Sequence, residues 1–208
     1  MSLINYFFPK VIHLGDTKFN RNISVNIWGG EPTIIVDGLI ESGSIMTHIW
    51  KSGIHQLIPK SYTPKKILLL GLAAGSNAIL INKLYPKAKI TAVEIDPDMV
   101  EIGKKYGRLN QVKNLQIITD DAEDFAQKNQ EKFDICLVDC FVGKEIPVRL
   151  ESLTFIENLK NNCRFVLINR LWYQETKNVS QKFLNKLNTK FLALKAHTGT
   201  NIIISLVA

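Results

Sequence analysis

Three small residues, Gly71, Ala73 and Gly75, follow the apolar run Ile67-Leu68-Leu69-Leu70, and Glu94 closes a second short apolar run 23 positions after Gly71. This is the pattern of a nucleotide-binding βαβ unit. Small side chains let the backbone turn tightly and approach a ligand closely. A helix starting near Gly75 would point unpaired N–H groups at that ligand, and an acid about 20 residues further on is placed for ribose hydroxyls. A strict Gly-x-Gly-x-x-Gly motif would need glycine at Ala73 and Ser76. The loop is therefore tight for a pyrophosphate and better suited to a nucleoside without phosphates.

The surrounding pattern says how these residues are positioned. From Lys65 onward, apolar runs alternate with helical spacing: strands are expected near 66–70, 89–94, 115–118, 134–139 and 164–168, with helices near 76–85, 97–106, 122–129 and 151–160. Asp96-Pro97 is a helix start, with Asp96 as N-cap and Pro97 in the first helical position. A helix near 177–188 leads to strands at 190–196 and 201–207, whose short Thr198-Gly199-Thr200 link permits only antiparallel pairing. The expected fold class is α/β: a Rossmann-like, mostly parallel sheet with a C-terminal antiparallel hairpin. Upstream, 22–28 and 33–37 read as a β-hairpin around Gly29-Gly30-Glu31-Pro32, and 44–58 as a helix with one face turned inward. The expected division is an N-terminal elaboration over 1–60 and a Rossmann-like domain over 61–208.

Composition excludes several classes. The 208 residues, 46% of them hydrophobic, suffice for one proper core. Three cysteines, Cys136, Cys140 and Cys163, have no metal-ligand spacing and an odd count. They read as reduced thiols of a cytoplasmic protein, with no metal site. The first residues read as neither a basic leader nor a signal-peptide core, and no run approaches the roughly 18 apolar residues of a membrane helix. The net charge of +7 is spread over nearly every segment, without an aromatic-interleaved basic stripe. That scatter argues for solvated surface rather than nucleic acid.

Taken jointly, Val36-Asp37-Gly38-Leu39-Ile40, the Gly71 to Gly75 loop, Val93-Glu94-Ile95-Asp96-Pro97, Asp120-Asp121-Ala122 and Leu137-Val138-Asp139 resemble the spermidine synthase-like group of class I S-adenosylmethionine-dependent transferases. The resemblance runs from about residue 22 to the end. It implies that Gly71, Ala73 and Gly75 lie under the methionine part of the cofactor and that Glu94 accepts from both ribose hydroxyls. Asp121 would face the adenine amino group, and Ala122 would supply a backbone N–H. Asp120-Asp121 also sits where the next helix should start, and either residue could be its N-cap. Asp139 ends the fourth strand at the carboxyl edge of the sheet, where open α/β sheets bind ligands.

Departures from that group set the expected chemistry. Aminopropyltransferases resemble Gly-Gly-Gly-Asp-Gly-Gly at the first loop, with an acid where this chain has Ala74, and carry a second acid where it has Val142. Their glutamine after the Asp-Gly strand end is Glu41 here. Losing two acids removes partners for a polycation, whereas intact S-adenosylmethionine brings its own carboxylate. Methyl transfer from S-adenosylmethionine to a small acceptor is therefore the expected reaction, with Asp139 as the catalytic candidate that orients or deprotonates the acceptor. The alternatives are aminopropyl transfer from decarboxylated S-adenosylmethionine, with Glu41 and Asp139 replacing the lost acids, and a non-catalytic nucleoside-binding homologue. His48 and His55 fall on the N-terminal helix and Phe141 and Trp172 fall where they could flank a flat substrate, although packing explains them too. The expected partner is a small-molecule acceptor, and a homodimer is allowed.

Overall fold

The computed structural model describes residue 8 and residues 10–206. Two sheets organise these residues. Strands β1 (Lys10–Gly15), β2 (Ile23–Trp28), β3 (Glu31–Val36) and β4 (Leu39–Ser42) form an antiparallel sheet in sequence order. Strands β5 (Lys66–Leu70), β6 (Lys89–Glu94), β7 (Leu115–Thr119), β8 (Phe133–Val138), β9 (Cys163–Leu171), β10 (Ala193–His197) and β11 (Asn201–Leu206) form the second sheet, in the order β10-β11-β9-β8-β5-β6-β7. Strands β5 to β9 pair in parallel, whereas β11 runs antiparallel to both β9 and β10. The parallel core and its C-terminal hairpin thus match the sequence reading.

Strand β5 shows why this segment is a central strand. From Ile67 to Leu70 its residues are apolar on both faces, as a strand covered by helices on both sides requires. Leu68 and Leu70 join a core with α4 (Ala122–Lys128), α5 (Leu153–Asn162) and α6 (Lys177–Asn188). On the other face, Ile67 and Leu69 pack with α1 (Ser44–Leu57), α2 (Ser76–Leu84) and Val100 of α3 (Pro97–Lys105). After β5 the chain steps outward to β6 and β7, then returns to place β8 on the opposite side of β5. The carboxyl end of β5 is therefore a switch point, where open sheets leave a crevice.

The N-terminal part is larger than the expected hairpin. Its sheet gains β1, half exposed along its length, and β4, which has only four residues. Neither carries the buried apolar run that marks the other strands. Ile23, Val25, Ile34 and Val36 pack this sheet onto Ala74 and Met99, above the first loop and α3. The helix expected from 151 begins instead at Leu153. Its N-cap is Ser152, whose hydroxyl accepts from the Phe155 N–H, and a short 3₁₀ turn, Val148–Glu151, precedes it. No helix among the described residues is long and apolar enough to cross a membrane.

Close contact between α3 and the first loop depends on Gly103. A Cβ there would lie 2.7 Å from the Ala74 carbonyl oxygen and 2.9 Å from its carbon. These are backbone atoms, which cannot rotate away. The Gly103→Ala substitution would gain about 1 kcal/mol in helix propensity, but overpacking costs about 1–3 kcal/mol and here meets rigid backbone. The expected net result is a melting temperature lowered by several degrees in a thermal unfolding scan.

Candidate functional site

The loop after β5 is held by the acid that ends β6. Glu94 is buried, and its carboxylate accepts from the N–H groups of Leu72 (2.9 Å) and Ala73 (2.7 Å) through Oε2 and of Asp96 (3.0 Å) through Oε1. Burial raises its pKa, while these three donors pull it down. The expected hold on two ribose hydroxyls is thus already half committed: Oε2 has both lone pairs in use, and Oε1 keeps one. Asp96 is the N-cap of α3, as its position before Pro97 predicts, and accepts from Asp98 N–H. It also receives the Thr17 hydroxyl and the Asn20 amide, which ties the β1–β2 loop over the crevice.

Asp139 stands immediately after β8 and is enclosed by donors from three separate elements. Trp50 Nε1 of α1 (2.7 Å) and Asn77 Nδ2 of α2 (2.8 Å) donate to Oδ2, and Asn169 Nδ2 of β9 (2.8 Å) donates to Oδ1. Asn201 of β11 in turn donates to Asn169 Oδ1 at 2.9 Å. Burial raises the Asp139 pKa against these stabilising bonds. One Oδ1 lone pair remains for a ligand. The Asp139 backbone explains Gly71: this residue has a φ of +82°, and any Cβ there would overlap the Asp139 carbonyl.

Between these acids lies a cavity of about 320 Å³, lined by Gly71, Ala73, Glu94, Asp121, Ala122 and Asp139 among the anticipated residues. Lys18, Phe19 and Asn20 of the β1–β2 loop close one side, with Glu41, Met99 and Phe141 elsewhere in the wall. Glu41 lies just inside β4. Burial first, and then the charges of Asp139 and Glu94, push its pKa up to about 8. Cys140 also faces the cavity, but burial and the nearby acids keep its thiol protonated, so it is not a nucleophile.

At the other end, Asp121 is the N-cap of α4. Its Oδ1 accepts from the N–H groups of Glu123 (2.8 Å) and Asp124 (3.3 Å) and from Arg149 Nη2 (3.3 Å). The capping alternative therefore describes its Oδ1, while Oδ2 is left for a ligand. Ala122 is the first residue of that helix, so its N–H is one of those that no intrahelical carbonyl can satisfy. Asp121, Glu123 and Asp124 form a close acidic group among the described residues. Arg149 bridges all three.

Gly75 lies apart from the cavity wall. It caps α2 with a left-handed φ of +92°, and a Cβ there would run into Leu109. Ala74 is fully buried in the cluster beneath the N-terminal sheet. An acid at this position would enter the core, so the absence of one satisfies packing as well as chemistry. His48 and His55 are exposed on α1, and Trp172 stacks edge-on with His197 on the C-terminal hairpin, away from the cavity. Phe141 alone of those four lines it. Trp50, Asn77 and Asn169 were not anticipated as site residues. Trp50 reads from sequence as one more inward-facing apolar residue, and the two asparagines have no spacing signature.

Residues 64–199 match a family described as "Methyltransferase domain". The polyamine aminopropyltransferase of Sulfurisphaera tokodaii is 25% identical over 179 residues, covering 83% of this chain and 54% of that protein. The eEF1A lysine and N-terminal methyltransferase homolog of Drosophila melanogaster is 37% identical over 97 residues, covering 43% of this chain and 14% of that protein. This chain thus spans less than two thirds of the length of these curated relatives. The spermidine synthase structure from Thermotoga maritima superposes with a TM-score of 0.71 at 14% identity, over 95% of this chain and 72% of that one, and so shares its fold.

The pKa of Glu41 makes stability depend on pH. The folded protein holds this proton up to about pH 8, whereas an unfolded chain releases it near the ordinary carboxyl value of 4.5. The folded state thus binds more protons in that window, so stability falls as pH rises from about 4.5 to 8 and then levels off. Glu41→Gln removes the titration. Its melting temperature should exceed that of the parent by several degrees at pH 8 and match it at pH 4.5, read by calorimetric scans across the range.

Proposed function

The chain belongs to the methyltransferase-domain family, and we propose that it is an S-adenosylmethionine-dependent methyltransferase of the spermidine synthase-like group, acting on a small acceptor. The observation that carries this reading is the acid-lined cavity at the switch point of the sheet. Glu41, Glu94 and Asp139 meet there, and Lys18 is the cation in the same wall. A wall of this charge in a partly dry cleft favours a cationic ligand, because otherwise the buried anions repel one another. The donor set fits a sulfonium nucleoside. Glu94 Oε1 offers one acceptor for ribose, Asp121 Oδ2 and the Ala122 N–H form a paired acceptor and donor for an adenine edge, and Met99 and Ile95 supply apolar wall.

One role expected from sequence moves to another element. With Gly75 packed against Leu109, a methionine carboxylate is matched better by Lys18 and Asn20 of the β1–β2 loop. When bound, the cofactor supplies an activated methyl group, and the protein supplies placement. Asp139 contributes a fixed carboxylate with one free lone pair on Oδ1, enough to accept a hydrogen bond from an acceptor N–H or O–H and to take its proton. The exposed Val142 side chain at the cavity, where an aminopropyltransferase would carry a second acid, favours methyl transfer.

A second reading, aminopropyl transfer, is supported by a specific observation. Glu41 and Asp139 interact electrostatically in the cavity and could replace the missing acids for an additional ammonium group. Isothermal calorimetry separates the two. S-adenosylmethionine should bind more tightly than its decarboxylated form. The opposite order would put aminopropyl transfer first, and binding of methylthioadenosine alone would favour a non-catalytic nucleoside-binding role. In the same assay, a folded Glu94→Ala variant should lose roughly ten- to more than a hundredfold in affinity, corresponding to about 1.5–3 kcal/mol for a charge-assisted hydrogen bond.

Asp139→Asn tests the catalytic assignment. General-base contributions run at about 10²–10⁴-fold, so kcat should fall by that order while cofactor affinity changes little. An equal loss in both would make Asp139 a binding residue.

A further inference from the structure

Part of the chain's positive charge, scattered along the sequence, gathers at one edge of the sheet in space. Every helix-to-strand connection of a parallel α/β sheet returns to the same edge, so a lysine carried by each connection lands on one face. Lys66 opens β5, Lys89 opens β6, Lys113 precedes β7, Lys132 precedes β8 and Arg164 lies at the start of β9; all five are exposed. The acids Glu94, Asp96, Asp120, Asp121 and Asp139 lie at the opposite, carboxyl edge. Glu131 and Asp134 also lie at the amino edge, beside Lys66, so this edge is basic on balance and faces away from the acid-lined cavity.

Helix stability accounts for part of the basic edge. Lys83, Lys128 and Lys160 sit in the last turns of α2, α4 and α5, where a cation offsets the helix dipole. It does not account for Lys66 and Lys89, which are direct cross-strand partners. Like charges in that relation cost stability, and the bridge from Lys66 to Glu131, at 2.7 Å, is exposed and weak. Lys66, Lys89 and Lys113 line an open groove with the hydrogen-bonding side chains of Thr91, Asn114 and Gln116; Glu131 is the acid in the same wall, so the groove is basic by three charges to one.

We propose that this groove is a docking surface for the phosphate backbone of a nucleic acid, on the face opposite the cofactor cavity. Clustered lysines supply charge complementarity to a polyanion, and the amides and hydroxyl can meet phosphate and sugar oxygens. The large exposed apolar side chains, including Trp28, Val148, Leu192 and Leu194, lie on other elements. Ile90, Leu115 and Phe133 line the groove floor, but they are buried or half-buried and offer no exposed apolar anchor for a lipid surface.

The test is fluorescence anisotropy with labelled single-stranded and duplex RNA and DNA oligonucleotides, titrated at several salt concentrations. Saturable binding at 50 mM salt is expected, with affinity falling linearly in log–log form as salt rises. Combined Lys66→Glu, Lys89→Glu and Lys113→Glu changes should weaken binding at least tenfold and flatten the salt slope by about 2–3, near 0.9 per lost phosphate contact. The corresponding triple glutamine variant should weaken it in the same direction. Reversing Lys177, Lys182 and Lys195 instead, around α6 and β10, changes net charge equally and should leave binding intact. S-adenosylmethionine affinity should be the same in all variants, so this result stands apart from the assignment of the cavity. The proposal is overturned by absence of binding at 50 mM salt, by an unchanged slope in the groove variants, or by equal loss in the control. Tighter binding to polyglutamate or to anionic vesicles would also overturn it, as would self-association in sedimentation that the same groove variants abolish.

Discussion

The Asp139 carboxylate is the point at which the separate parts of this chain are fastened together. An anion in that position is costly to bury, and no cation among the described residues neutralises it. Three neutral donors do so instead, and each comes from a different element: Trp50 from α1, Asn77 from α2 and Asn169 from the sheet. Removing any one would leave a buried charge under-satisfied, so each element has a reason to stay where it is. The backbone of the same residue sits against Gly71, which brings the first loop into the arrangement. Glu94 performs a parallel task 45 positions earlier in the chain, gathering the loop's N–H groups beneath it.

Both acids therefore shape the cleft before they act on anything inside it. Their spare lone pairs are few and point inward, which defines where a ligand's hydrogens can go. Glu41 differs because it faces the same charges without a hydrogen-bonded scaffold among the described residues. Its proton is the cheapest way to relieve the repulsion, and a cation entering the cavity is the other way. Occupancy of the cleft by a positive ligand and release of the Glu41 proton are consequently linked.

Much of the scaffold was legible because burial on both faces writes strands such as Leu68 to Leu70 and Val166 to Ile168 as unbroken apolar runs. Capping chemistry marked the start of α3 at Asp96-Pro97. The segments that escaped notice, β1 and β4, are half exposed or very short, and their pairing is decided by the sheet they join rather than by their own composition. In the site, acids at strand ends were readable from position alone. Their supporting amides and indole were not, since a hydrogen bond across 62 or 89 positions leaves no periodic trace. Gly75 and Ala74 show a related ambiguity. A small residue beside a cleft and a small residue beneath a helix look the same in sequence, and only the packing of Leu109 and Gly103 distinguishes them.

The position of β11 between β9 and β10 has a consequence for how the molecule is made. The strands that carry Gly71, Glu94 and Asp139 can assemble as they are synthesised, because each pairs with a strand already present or soon to follow. Asn169 emerges next, yet the Asn201 amide that holds its oxygen arrives only after α6 and β10, and β11 must then slot into the space beside β9. A nascent chain that has made residue 190 therefore has the cleft's outline without its final bracing. Competence at the cleft is coupled to completion of the hairpin, so a chain interrupted in that interval would expose the apolar flank of β9, a feature that quality-control chaperones recognise.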